Sequence, residues 1–437
     1  MKTISYIHSW WGIGTVALLG FGTGYFFAPK EKNNEEITNF SKDEKARNLK
    51  TENELNPGEE FRSNIPVISD IIASEPLRKK NLSIKELLLN AKGESNPIKR
   101  NAAFSTALAS LNEENLDQAI EVFKSLPLSF ENAQEYRMLL YAWGQFDPGG
   151  AIEYCNSRAS GIGAGFSVAG VLEGWASRDP GSAKEWVANP ENSGMAKIYN
   201  FGLVRGWASQ DLEGATAYVE GLEKGDDVRK LVGILTEQHN KKGFSSAAQW
   251  AEGLIDEKMK ESAFESLSKQ VSRDRPESVA NWLKSHANQN YATKSFENLG
   301  KRWSETNPES AVAYFEELPE GNAQQKGIES AMANWAKKDP ESAGQWLNQK
   351  EPSPKLDPAL STYARVVSNE DGAAAMEWAI SITDQKLQEK TITQVGQSWY
   401  RKDKESVENW LPESGLSEKA QAAIKNPPKQ NWWQKLR

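Results

Sequence analysis

Residues 175–186 read WASRDPGSAKEW, and residues 335–346 read WAKKDPESAGQW. The two strings lie 160 residues apart, which is five times 32. Steps of 32 in both directions from Ala183 land on Ala119, Ala151, Ala183, Ala215, Ala247, Val279, Ala311, Ala343, Ala375 and Val407. Eight of these ten positions are alanine, the other two are valine, and no insertion or deletion breaks the frame. A fixed period of this length marks a repeat architecture, in which each copy is one supersecondary unit that needs its neighbours to bury its apolar face.

Other columns, counted from the alanine, share the frame. At +3 stand Val122, Tyr154, Trp186, Tyr218, Trp250, Trp282, Tyr314, Trp346, Trp378 and Trp410. At −8 stand Leu111, Trp143, Trp175, Trp207, His239, Val271, Trp303, Trp335, Val367 and Trp399. These two columns hold twelve of the chain's 16 tryptophans, an unusual content that the repeat thereby explains. The −15 and −12 columns are mostly apolar, as in Phe264 with Leu267 and Phe296 with Leu299. Steps of three and then four from −15 to −8 put one stripe on one helix face, helix A. The alanine and the residues at +3 and +4 give a shorter second stripe, helix B.

Between the two helices the −4 column is Asp or Asn in eight of ten copies, including Asn115, Asp179, Asp339 and Asp403. These residues are preferred N-caps. Proline follows at 148, 180, 276, 308 and 340, where its missing N–H costs nothing. Helix B therefore starts within two or three residues of the end of helix A. A small residue at the alanine position lets the two helices cross closely. The aromatics are then expected to fill the space between hairpins. Trp143, Trp175, Ala183, Trp186, Trp207, Trp250, Trp282, Trp303, Trp335, Ala343, Trp346, Trp378, Trp399 and Trp410 are the predicted repeat core.

The 32-residue helical hairpin, the Asp-Pro start of its second helix and the interhelical alanine resemble tetratricopeptide-like α-solenoids over residues 104–411. The period departs from the 34 of that family, and its Gly-Tyr pair is missing. The chain looks closer to bacterial helical-repeat proteins built on a W-x-x-x-D-P-x-x-A-x-x-W theme. The resemblance implies an all-α fold, a right-handed α-solenoid of about ten hairpins, with helix A lining the concave face. The expected organisation is a membrane anchor over 1–30, a flexible linker over 31–80, the repeat region with capping helices over 81–425, and a tail over 426–437.

Residues 9–29, SWWGIGTVALLGFGTGYFFAP, carry no charge and are long enough to cross a ~30 Å hydrocarbon core. Trp10 and Trp11 flank one end, and Tyr25, Phe26 and Phe27 the other, as interfacial aromatics do. A cleaved signal peptide is the rival, but bulky Phe26 and Phe27 make a poor cleavage context. Gly20 and Gly24 have the spacing that lets two anchors approach, although glycine is common in membrane helices generally. Counting positive charges puts the bulk of the chain inside. A short polar head before a single anchor resembles a bacterial signal anchor, which points to the exported, periplasmic side of the cell envelope. Residues 31–60 are polar and mixed in charge, so they read as a tether. Ser83 and Glu86 form a capping box for a short helix over 84–92. A further polar helix over 416–425 closes the array before Pro427 and Pro428, and the tail ends NWWQKLR.

The net charge of −8 argues against nucleic acid as a partner. One cysteine, Cys155, and three histidines leave no basis for a disulfide or a metal centre. His239 occupies the −8 tryptophan position and reads as a core residue. His286 falls in an inter-repeat loop with no partner at metal spacing. Cys155 sits in an apolar column, and Gly161-Ile-Gly163-Ala-Gly165 opens a helix A without a preceding strand. No catalytic residue and no cofactor is expected.

The −14 and −10 columns of helix A lie away from the apolar stripe. They carry Glu265 with Lys269 and Glu297 with Lys301 at helical-pair spacing. At −10 stand Tyr141, Glu173, Arg205, Glu237, Lys269, Lys301 and Arg365. The candidate partner-binding residues are therefore Tyr141, Arg205, Lys269, Lys301 and Arg365. The expected function is a membrane-tethered scaffold that binds a protein or peptide. An enzyme of cell-envelope polymers and a structural spacer are the alternatives, and the unbroken frame counts against the enzyme.

Overall fold

The computed structural model describes residues 82–428 apart from Leu128, Lys224 and Pro352. The expectations for the anchor, the linker, Gly20 with Gly24, and Trp432 with Trp433 lie outside the described residues. Among those described, no helix is long and apolar enough to cross a membrane.

The described residues form 22 α-helices and no strand. They are α1 Ile84–Gly93, α2 Pro97–Leu108, α3 Leu116–Lys124, α4 Ala133–Gly144, α5 Pro148–Arg158, α6 Gly161–Ala176, α7 Pro180–Ala188 and α8 Ala196–Gln210. Then come α9 Leu212–Glu220, α10 Asp226–Lys241, α11 Phe244–Gly253, α12 Glu257–Val271, α13 Pro276–Lys284, α14 Thr293–Trp303 and α15 Pro308–Glu317. The last are α16 Asn322–Lys338, α17 Pro340–Asn348, α18 Asp357–Val367, α19 Gly372–Ile380, α20 Gln385–Lys402, α21 Lys404–Trp410 and α22 Glu418–Lys425. From α2 to α21 the even-numbered helices are the A helices of the frame and the odd-numbered ones the B helices, giving ten hairpins.

Local chemistry sets these boundaries. Ser83 and Glu86 close the capping box of α1. At Asp147, Asp179, Asp211, Asn307, Asp339, Asp371 and Asp403 the −4 side chain accepts a backbone N–H of the first turn of helix B. Asn115 departs from the expectation. It makes no cap bond to α3, because its amide accepts the N–H of Asn112 and donates to the carbonyl of Ser110.

Packing follows the columns. All ten alanine-position residues are fully buried, from Ala119 to Val407. From α4 onward each A helix packs on its own B helix, and every A helix packs on the next A helix. At the end, Ile424 of α22 buries itself against Gly396 of α20. The hairpins are thus packed in sequence, compatible with a helical repeat.

The aromatics do more than one job. The −8 and +3 rings meet inside a single hairpin, and some also reach across hairpins as expected, Trp186 to Tyr199 at 5.2 Å and Trp282 to Phe244 at 5.7 Å between centroids. Trp143 faces Tyr154 at 5.3 Å, Trp303 faces Tyr314 at 5.6 Å, Trp335 faces Trp346 at 5.9 Å and Trp399 faces Trp410 at 5.6 Å between centroids. The sharp A-to-B turn folds two positions eleven residues apart onto each other. The indole N–H of Trp143 also donates to the cap carboxylate of Asp147 at 3.0 Å, which ties the tryptophan and the aspartate of the repeat theme together.

What fills the space between A helices is often backbone. A Cβ on Gly174 of α6 would fall 2.0 Å from the Tyr141 carbonyl oxygen of α4. On Gly206 of α8 it would fall 2.2 Å from the Glu173 carbonyl oxygen of α6. Only a hydrogen fits at these contacts.

Candidate functional site

The stripe of each A helix opposite its B helix stays in reach of solvent, and the packing of A on A lines these stripes up. Side-chain contacts between residues 32 positions apart show the alignment directly. Gln145 donates to the Ser177 hydroxyl at 3.4 Å, Arg205 pairs with Glu173 at 3.7 Å, and Arg273 pairs with Glu305 at 3.5 Å.

Two grooves open on this face. The larger, of about 1010 Å³, runs across α2, α4 and α6 and is lined by Ala109, Met138, Tyr141, Gln145, Phe146 and Arg178. Arg137 and Glu173 also line it and pair at 2.9 Å. Glu173 accepts from Arg137 and forms a looser ion pair with Arg205 at 3.7 Å, so one carboxylate lies between two guanidinium groups. The smaller groove, of about 480 Å³, lies between α16 and α18 beside Pro340, with Ala333, Lys337, Thr362, Arg365 and Asn369. Both grooves are lined by the −10 and −6 columns of the frame.

The predicted site residues separate accordingly. Tyr141 lines the larger groove and Arg365 the smaller. Arg205 lies on α8, half-buried and held by Glu173. Lys269 of α12 and Lys301 of α14 are exposed on the same face and line neither groove. The expected pair of Glu297 with Lys301 does not form. Lys294, on the preceding turn of the same face, takes the Glu297 carboxylate at 2.8 Å.

The remaining candidates for chemistry are structural. His239 stacks on Trp250 with centroids 4.4 Å apart, and burial pushes its imidazole down to about 4. His286 lies between the Tyr291 hydroxyl at 3.1 Å and the Glu252 carboxylate at 3.2 Å, and Glu252 also accepts the Trp282 indole N–H. Cys155 is buried, and its thiol is pushed up to about 12. Gly161 opens α6 with a φ of 59°, after a loop rather than a strand. Among the described residues no group of His, Cys, Asp and Glu is placed to hold a metal ion.

Some residues gave too little signal in the sequence. Arg137 belongs to the −14 column but becomes a groove residue only because α6 brings Glu173 beside it. Gly174 and Gly206 share the −9 column in two adjacent copies, a signal too brief to stand out. Asp357, at the start of α18, is buried and accepts the N–H and hydroxyl of Thr383 and the N–H of Asp384, which ties one hairpin to the next. Comparison with protein-family models, curated proteins and solved structures finds no match.

Proposed function

We propose that the ten hairpins stack as a right-handed, tetratricopeptide-like α-solenoid whose A-helix face binds a protein or peptide partner, without catalysis. Residues 9–29 tether it to a membrane, and the solenoid stands on the exported side of a bacterial cell envelope. The observation that carries the binding role is the coincidence of both grooves with the −10 and −6 columns of helix A. A repeating frame presents the same positions on every copy, and an extended partner meets them one hairpin at a time.

Ala109 and Ala333 occupy the −10 position in the larger and the smaller groove. Replacing both by tryptophan fills the grooves from residues that are exposed or half-buried, so the core is left alone. The full-length chain carrying Ala109→Trp and Ala333→Trp is expected to lose capture of its partner from a cell extract while its melting curve is unchanged. Undiminished capture at matched folding would move the binding surface off the A-helix face.

A further inference from the structure

The charge of the A-helix face changes along the chain. The first four A helices, α2, α4, α6 and α8, have no basic residue in their last turn, and Arg205 of α8, which shares the −10 column, is paired with Glu173 of α6. The next six, α10 to α20, all do, with Lys241, Lys269, Lys301, Lys337, Arg365 and Arg401 as one representative of each. All six are exposed. A basic last turn complements the negative end of a helix dipole, but every A helix carries that dipole, so it does not explain why only six are basic. Nor does overall composition, since the chain has a net charge of −8.

The row is continuous in space. Arg273, just past the end of α12, reaches Glu305, just past the end of α14, at 3.5 Å. Lys402 of α20 donates to the backbone carbonyl of Asn369, just past the end of α18. Packed helices lie ~8–10 Å apart, so the row offers about one basic step per ~10 Å. A polypeptide extended as a polyproline II helix advances ~3.1 Å per residue with three residues per turn, so every third side chain returns to the same side after about one such step.

We infer that the A-helix face of α10 to α20 takes an extended acidic polypeptide whose carboxylates recur about every third residue. This rests on the reading of the A-helix face as a binding surface and adds the chemistry and register of the partner. A nucleic acid strand suits the row less well. It carries one charge per ~3.4 Å, denser than the row, and it meets Glu237, Glu305 and Glu370 on the same edge. A polypeptide turns those carboxylates to use as acceptors for its own N–H groups.

The test is fluorescence anisotropy of the full-length chain in mild detergent with three labelled probes. One is a peptide of about eight Glu-Ser-Gln triplets. The second has the same composition with its glutamates in one block. The third is an oligothymidylate of equal charge. The triplet peptide is expected to bind at least about tenfold more tightly than either rival, with binding that weakens as salt is raised. Lys269→Glu with Lys301→Glu is expected to abolish that preference, whereas Lys124→Glu with Lys284→Glu, at the exposed ends of the B helices α3 and α13, leaves it intact.

Equal binding of the triplet and block peptides would overturn the register. Tighter binding of the oligothymidylate would overturn the polypeptide. If no acidic peptide binds but Ala109→Trp with Ala333→Trp still abolishes partner capture, the acidic partner is wrong and the binding face stands. If that capture persists as well, both readings fall.

Discussion

Ala183 and Ala343 have no exposed surface, and each lies where a B helix crosses its A helix. Leucine at either position must force the crossing apart, at an expected cost of ~1–3 kcal/mol in chemical denaturation. Trp335 and Trp346 are nearly as well buried, so alanine at either is expected to cost ~3–5 kcal/mol. Trp186 keeps part of its ring in solvent and should lose less. Gly206→Ala puts a methyl group against the Glu173 carbonyl and is expected to destabilise by ~1–3 kcal/mol. Gly163→Ala, with open space around it in α6, is the control and should stabilise by ~0.5–1 kcal/mol. If the two glycine variants melt alike, the close A-on-A contact is absent.

His239 adds a pH dependence at the same scale. Burial holds its folded-state value near 4, against an ordinary 6.5. The folded chain prefers the neutral ring. Between those two values the unfolded chain takes up a proton that the folded chain does not, so the contribution is complete above about 6.5 and is lost as pH falls toward about 4. The melting temperature of the parent should therefore fall across that window more steeply than that of His239→Phe. Parallel curves would show that the imidazole is not buried against Trp250.

At the scale of the element, the A-to-B turn depends on the cap. Asp147 holds both the Gly150 N–H at 2.9 Å and the Trp143 indole at 3.0 Å. Asp147→Ala should cost ~1–2 kcal/mol, since the helix loses its cap and the indole loses its acceptor. Where serine follows at the third position, its hydroxyl donates a second bond to the same carboxylate, as Ser182 does to Asp179 and Ser406 to Asp403. These bonds hold the Asp179, Asp339 and Asp403 carboxyls below their usual value of 3.8. Their contribution is present above that value and is lost as pH falls through the lowered ones. Acid should thus fray the B helices in a window below that of His239. Helicity by circular dichroism that is flat below pH ~4 would contradict this.

At the scale of the whole molecule, the apolar interior divides within α8. Leu203 belongs with the residues before it, and Val204 with those after it. Tyr199 and Leu203 of α8 pack with α6, where Gly202 and Gly206 also bring the backbones close, whereas Val204 and Ala208 pack with α9 and α10. Repeat proteins couple mainly to their nearest neighbours, so the two sides of such a division can open separately. Hydrogen exchange at increasing denaturant should release the segments before and after α8 at different concentrations. A single concerted loss of protection would show one cooperative unit. The solenoid reading further requires an elongated particle in small-angle scattering, and a compact one would end it.

The period, the two helices of each hairpin, the cap between them and the buried columns were all legible in the sequence. Each depends on local rules: helical spacing, capping chemistry, the size of a side chain at a crossing. Repetition averaged those signals over ten copies, so that Val279 or His239 in an odd place did not obscure them. The sequence also showed that Tyr141, Arg205, Lys269, Lys301 and Arg365 share one column. Which of them line a groove was beyond it. That depends on how closely one A helix approaches the next, and the approach is set by pairwise contacts such as Gly174 on Tyr141 or Arg137 on Glu173. Residues from different repeats make these contacts, and they follow no shared period. Tertiary packing alone decided that the aromatic pairs close within a hairpin, that Lys294 takes Glu297 from Lys301, and that the grooves open at α2–α6 and α16–α18. Each of those outcomes is a competition between partners close in space, and spacing along the chain does not rank them.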